Sequence, residues 1–210
     1  MAPATTYATW RLYHLSLLLL GLIVSACATS GQRLRTDKLA TIDLPVASAN
    51  AAHKVPGGVL WLESGGQVYR KAYGQRALVP KPEAATEDTI YDVASLTKVI
   101  ATTTAALQLV ERGRLDLEAP VARYLPAFAA HGKDAIKVRH LMIHMSGLRP
   151  GLPATPAWEG YARAIELACA ERPRSVPESE FVYSDINYIV LGELIRIVSG
   201  RSLDVYCQQE

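Results

Sequence analysis

Between Ser95 and Val110 the chain carries one charge, that of Lys98, in a stretch whose apolar side chains recur at helical spacing. Leu96, Val99 or Ile100, Thr103, Leu107 and Val110 share one face, and Gly113 supplies a stop. The pattern predicts a helix over 95–112 that is buried on most sides. A lysine inside such a helix costs several kcal/mol, on the order of a buried unpaired charge, unless something offsets it. Ser95 lies three residues earlier, and i, i+3 neighbours on a helix hold their Cβ atoms about 5–6 Å apart. A desolvated lysine has a lowered pKa and can take a proton from a hydroxyl. The oriented N–H groups at a helix start suit a developing oxyanion. The spacing S-x-x-K alone is weak, because Ser95 as a plain N-cap and Lys98 reaching out to solvent would look the same.

The surroundings of this helix set the fold class. Val55-Pro56-Gly57-Gly58 breaks the chain, Val59 to Leu62 is an apolar run, Ser64-Gly65-Gly66 is a turn, and Gln67 to Tyr73 reads as a second strand. Two runs joined by a Gly-Gly turn predict a β-hairpin. Residues 79–88 read as a loop. Helical segments follow over 139–145, 158–169 and 186–198, and Ser202-Leu203-Asp204 opens a further one. A hairpin followed by many helices predicts an α+β domain with segregated layers. A composition of 50% apolar and 20% charged residues suits a buried core. A net charge of +2 offers no basic surplus for phosphates, so nucleic acid is not expected as a partner.

The first 26 residues stand apart. Arg11 precedes Leu15 to Val24, an apolar run of about ten residues, whereas a membrane-crossing helix needs about 20. The run suits a secretory signal, and it ends in Val24-Ser25-Ala26-Cys27, which resembles a bacterial lipobox. The expectation is a signal peptide over 1–26 and lipidation of Cys27. Residues 27–50 form a tether and short helix before a domain over 51–210. Ala28 after the cysteine favours the outer membrane facing the periplasm. Cys169 and Cys207 read as buried unpaired thiols, with a disulfide as the alternative in an oxidising compartment.

Three stretches carry a family resemblance. Thr89 to Lys98 (TIYDVASLTK), Arg139 to Leu148 (RHLMIHMSGL) and Phe181 to Tyr188 (FVYSDINY) occur in the order seen in serine hydrolases of the β-lactamase and penicillin-binding-protein superfamily. The chain resembles that family's class C-like and esterase branches from about residue 40 onward. The resemblance implies the β-lactamase/transpeptidase-like α+β fold. It implies Ser95 as acylated nucleophile, with its amide as an oxyanion donor, and Lys98 as partner in proton transfer. Tyr183 would be general base and then acid, needing the Lys98 ammonium beside it because a free phenol has a pKa near 10. His144, Ser146 and Gly147 would brace the cleft.

Two departures qualify that picture. Asp185 stands where the family usually has Asn to contact substrate, and an ionised carboxylate cannot donate to an amide carbonyl. It would also keep Lys98 charged by pairing, which favours Tyr183 over Lys98 as base, and the departure shifts weight from β-lactam chemistry toward esterase or peptidase chemistry. The family's third motif, a Lys-Thr-Gly-like strand with the second oxyanion donor, does not follow Tyr183, so the sequence reads as truncated before it. His140 and His144 are spaced as in a zinc helix, but Leu141 stands where a Glu is needed, so no metal and no organic cofactor is implied. The expected function is hydrolysis of a small-molecule or peptidoglycan-derived ester, amide or β-lactam through an acyl-enzyme. The alternative is an inactive envelope lipoprotein that binds peptidoglycan or a partner protein.

Overall fold

The computed structural model describes residues 34–210, and the apolar run and Cys27 lie outside them. The chain forms two compact units, one ending at Tyr91 and the other running from Asp92 to Glu210.

In the first unit, helix α1 (Leu39–Ala51) precedes the hairpin of β1 (Gly57–Ser64) and β2 (Gln67–Ala77). The strands pair antiparallel from Gly57 opposite Gly74 to Ser64 opposite Gln67. Gly65 and Gly66 both have positive φ, the backbone a two-residue turn needs to match strand twist. Helix and hairpin are tied through Asp43, which accepts from Tyr69 Oη at 2.8 Å and also from Tyr73 and Lys71. The Lys71 ammonium, followed by the two phenols, lowers the Asp43 carboxyl to about 2. The stretch read as a loop holds a short strand β3 (Glu83–Ala84) on the outer edge of β2. Two residues are too few to show an alternating pattern, so only the tertiary pairing reveals it.

The second unit is helical. A π-helical segment (Lys98–Thr103) runs directly into α2 (Thr104–Glu111), followed by short 3₁₀ turns. Helices α3 (Val138–Met142), α4 (Tyr161–Ala170), α5 (Asp185–Ser199) and α6 (Leu203–Gln209) follow. The α+β character expected from the order of elements holds, with the antiparallel hairpin first and the helices after it. Helix α5 is the spine. Its positions Ile186, Val190, Leu191, Leu194 and Ile195 are fully buried at helical spacing. They share a core with Leu109, Phe128, Ile136 and Leu141. Each such side chain contributes roughly 1.5–3 kcal/mol of transfer free energy.

The helix after Ser95 differs from its expectation in two ways. Its stretch Lys98–Thr103 is π-helix rather than α-helix, and the buried stripe is Thr102, Ala105, Ala106 and Leu109. Leu96, Val99, Ile100 and Leu107, placed inside by the periodicity, are exposed by 56%, 57%, 62% and 46%. Small side chains on the opposite stripe let α2 approach α5 closely, and that packing decides which face turns in. Cys169 is half-buried and Cys207 exposed, and both are free thiols.

Lys133 is a buried ammonium. It has no exposed surface, and its Nζ donates to the carbonyls of Ala130 (2.7 Å), Cys169 (2.8 Å) and Glu171 (2.5 Å). It thereby ties the C-terminal end of α4 to the loop at 130. Burial pushes its pKa down, while three acceptors around one nitrogen match the three donors of the protonated form.

Candidate active site

The residue before Ser95 is held in an uncommon backbone conformation. Ala94 has φ 44°, and its N–H donates to Asp92 Oδ1 at 2.7 Å in an Asx-type turn. A non-glycine residue in this region costs about 1–2 kcal/mol. The turn delivers Ser95 immediately ahead of the helix, and the π-helical segment then carries Lys98 beside it. Such segments are rare and concentrate at functional sites. The Lys98 ammonium donates to Ser95 Oγ at 3.3 Å and pairs with Asp185 Oδ1 at 2.7 Å. Its Nζ lies 5.2 Å from the Tyr183 ring centroid and 5.9 Å from that of Tyr188.

The titration of these groups follows from that geometry. Burial acts to lower the Lys98 pKa, but hydrogen bonds to Asp185 and Tyr183 together outweigh it, and the net shift is upward. Desolvation alone would favour the neutral amine, but the pairing with Asp185 exceeds that penalty, so Lys98 is a cation at neutral pH. The Tyr183 phenol moves the other way, lowered by hydrogen bonds with Ser95 and then Lys98. Ser95, Lys98, Tyr183 and Asp185 are thus brought together. Ser95, Lys98, Asp185 and Tyr188 help line a cleft of about 410 Å³.

A second set of residues holds Tyr183 in place. After α3, His144 turns the chain with φ 58°, and its carbonyl accepts from Val182 N–H at 2.9 Å. Its Nδ1 accepts from Ser184 N–H at 3.0 Å, and its ring sits 4.5 Å from the Tyr183 ring at a 32° tilt. Ser146 Oγ donates to Asn187 Oδ1 at 2.6 Å and accepts from Leu148 N–H at 3.2 Å. Gly147 has φ 78°, its carbonyl accepts from Arg174 N–H at 2.8 Å, and a Cβ there would land on the Ser175 carbonyl oxygen. Only glycine fits both constraints. His140 lies apart from this set: its Nδ1 accepts from Lys137 N–H at 3.1 Å and its Nε2 is 3.3 Å from Glu178.

Two residues of the site were not singled out from the sequence. Tyr188 packs its ring 5.2 Å from His144, donates to the Met142 carbonyl at 3.2 Å and meets Thr103 Oγ1 at 3.1 Å. Asn187 is fully buried and contacts His144 Nδ1 at 3.4 Å as well as Ser146. The available signals were the i, i+3 spacing of Asp185 and Tyr188, and a lone amide at an apolar helix position.

The chain is also similar to known proteins. Residues 42–210 match the family model described as Beta-lactamase. An Escherichia coli (strain K12) protein, provisionally named as a D-alanyl-D-alanine carboxypeptidase, is 33% identical over 68% of this chain and 37% of its own length. A Bacillus subtilis (strain 168) protein named N-acetylmuramyl-L-alanine amidase is 32% identical over 83% of this chain and 44% of its own. The crystal structure of a class C beta-lactamase in complex with cefoxitin superposes with a TM-score of 0.70 at 25% identity, covering 83% of this chain and 48% of that one. The chain spans less than half the length of these curated relatives. With the match running through the hairpin, the Ser95 helix and α5 alike, the chain belongs to the beta-lactamase family of serine hydrolases.

Proposed function

We propose that the protein hydrolyses an ester or a D-amino-acid peptide of peptidoglycan type by acyl transfer through Ser95. The observation that carries this is the geometry of the Ser95–Lys98–Tyr183 group: a cationic Lys98 that donates to Ser95 Oγ at 3.3 Å and lies 5.2 Å from the Tyr183 ring centroid, beside a phenol of lowered pKa. Ser95 Oγ attacks the substrate carbonyl while Tyr183 takes its proton, and the phenol then returns that proton to the leaving group. Lys98 stays protonated throughout and stabilises the phenolate. The Ser95 amide donates to no partner among the described residues, which supports its use toward the oxyanion. Water releases the acyl group. The relatives named as a carboxypeptidase and an amidase support peptidoglycan-type substrates. The lipobox-like Val24 to Cys27 supports a place at the outer membrane, anchored through Cys27.

Intact-mass labelling with a fluorophosphonate, beside a Ser95→Ala control, tests the reading. A single adduct that vanishes in the control is expected, and a wild-type chain that gains none would reject the activated serine and favour a binding module. Hydrolysis of a D-alanyl-ended peptide, a simple ester and a β-lactam then ranks the substrates. Asp185 sets the expected order. Its carboxylate accepts hydrogen bonds only and is 57% exposed at its side chain. Asp185→Asn introduces a donor, and one added hydrogen bond of about 1.4 kcal/mol corresponds to about tenfold faster acylation by a β-lactam relative to the ester. An unchanged ratio would remove Asp185 as the selector.

A further inference from the structure

We infer that His144 is the positioning residue for Tyr183, and that it holds the phenol over Lys98 only while its Nδ1 is free to accept a hydrogen bond. The inference rests on the acyl-transfer reading and adds an acid-side control of the same site.

Tyr183 is 45% exposed, so no core packing encloses it. The segment that carries it is instead fastened at its two neighbours: both bond to His144, while Ser184 Oγ also donates to the Arg149 carbonyl at 2.6 Å and Asp185 N–H donates to the Pro150 carbonyl at 2.7 Å. Val182 N–H donates to the His144 carbonyl and Ser184 N–H donates to His144 Nδ1. The imidazole then fills the space between the Tyr183 ring at 4.5 Å and the Tyr188 ring at 5.2 Å, with Phe181 edge-on at 5.8 Å. The Arg149 and Pro150 carbonyls anchor the start of α5, so what His144 adds is the placing of the Tyr183 ring, and the phenol's orientation beside Ser95 and Lys98 depends on the Ser184 bond to Nδ1 staying made.

That bond has only one direction. A backbone N–H can donate and cannot accept, so Nδ1 must carry the lone pair and the ring proton must sit on Nε2. Protonating Nδ1 sets two donors against each other at 3.0 Å and breaks the clasp. The groups facing the ring are Lys98 from the π-helical segment, Asp185 and Tyr188 from α5, and Tyr183 from the preceding loop. Burial, then the Lys98 cation, lowers the His144 pKa below 6.5, with Asp185 opposing them. The sign follows: above pH 6.5 the ring is neutral both folded and unfolded, and below it the unfolded chain takes the proton first. The clasp is thus intact at neutral pH and is lost as pH falls through the folded-state value.

The test is the pH profile of fluorophosphonate labelling of Ser95 from pH 8 to pH 4.5 on the whole 210-residue chain. Phenolate as base makes the logarithm of the rate fall with slope one toward acid. Loss of the clasp adds a second proton, so below the His144 midpoint the slope becomes two. One pH unit below that midpoint the wild-type rate should lie about tenfold under the slope-one line. His144→Asn is the informative variant, because asparagine tolerates φ near 58° and its amide oxygen can accept from Ser184 without titrating. It should retain slope one down to pH 4.5 with a rate at pH 8 within about tenfold of wild type. A break that survives in His144→Asn overturns the inference, and so does a wild-type profile without a break. If His144→Asn does not fold, ¹⁵N-histidine NMR of the wild type decides instead, since the Nδ1 titration and the break must share one midpoint and differing midpoints overturn it. Absence of any Ser95-dependent adduct rejects the acyl-transfer reading itself and this inference with it.

Discussion

Tyr183→Phe is expected to slow acylation of Ser95 by about 10²- to 10⁴-fold, the range of a positioned general base, while leaving the fold intact. Tyr183 is 45% exposed and stands outside the buried core, so thermal stability should be unchanged. What disappears is the phenol that takes the Ser95 proton in the proposed reaction. Lys98 cannot serve, since pairing with Asp185 and Tyr183 keeps it above the ordinary lysine value. The second-order rate of fluorophosphonate labelling measures the effect directly. A loss smaller than about threefold would mean that the phenol is a bystander and that Lys98 sheds its proton during the reaction. Rings at Phe181, Tyr183 and Tyr188 stay stacked on His144 in this variant, which keeps the comparison to one hydroxyl.

The largest effect on stability is expected at Lys133. Lys133→Met keeps most of the buried stem but leaves the carbonyls of Ala130, Cys169 and Glu171 without their donor. An orphaned acceptor costs about 1–3 kcal/mol when buried and less where solvent reaches it, so with these three part-buried carbonyls the loss should be about 3–5 kcal/mol. Replacing a whole buried ion pair by apolar residues can be neutral, but backbone carbonyls cannot be replaced along with the lysine. A chain of this size loses about 2–4 °C of melting temperature per kcal/mol, so the midpoint should fall by about 10 °C. Circular dichroism melts of the two proteins check it. A shift under about 2 °C would show that water reaches those carbonyls at no cost and that the lysine is dispensable.

The two variants separate what the site needs from what the fold needs, and the sequence spoke unequally to each. The S-x-x-K spacing, the tyrosine before a helix and the Gly-Gly hairpin are local features, so they could be read without coordinates. Turn chemistry and helical period act over a few residues, and Gly65-Gly66 or Asp185–Ser199 obey them wherever they are placed. Family likeness then joined the local pieces, and the match over residues 42–210 supports the joining.

The burial of the helix after Ser95 could not be read in the same way. Periodicity chose the stripe of Leu96, Ile100 and Leu107, whereas packing against α5 selected Thr102, Ala105 and Leu109. Hydropathy records which residues prefer to leave water, not how near two helices can come, and small side chains won by allowing the closer approach. The charge on Lys98 was expected from pairing with Asp185, but only the folded chain supplies that pairing. Desolvation and ion pairing oppose one another, and their balance depends on a 2.7 Å contact between residues 87 positions apart. The role argued for His144 belongs to the same class. Its sequence position suggested a brace, but only the folded chain brings its Nδ1 to the Ser184 amide and its ring to Tyr183. Sequence determined the chemical groups, their local turns and the family. Tertiary structure decided which face is buried, which group holds the proton and what keeps the base in place, because each depends on distances between segments far apart along the chain.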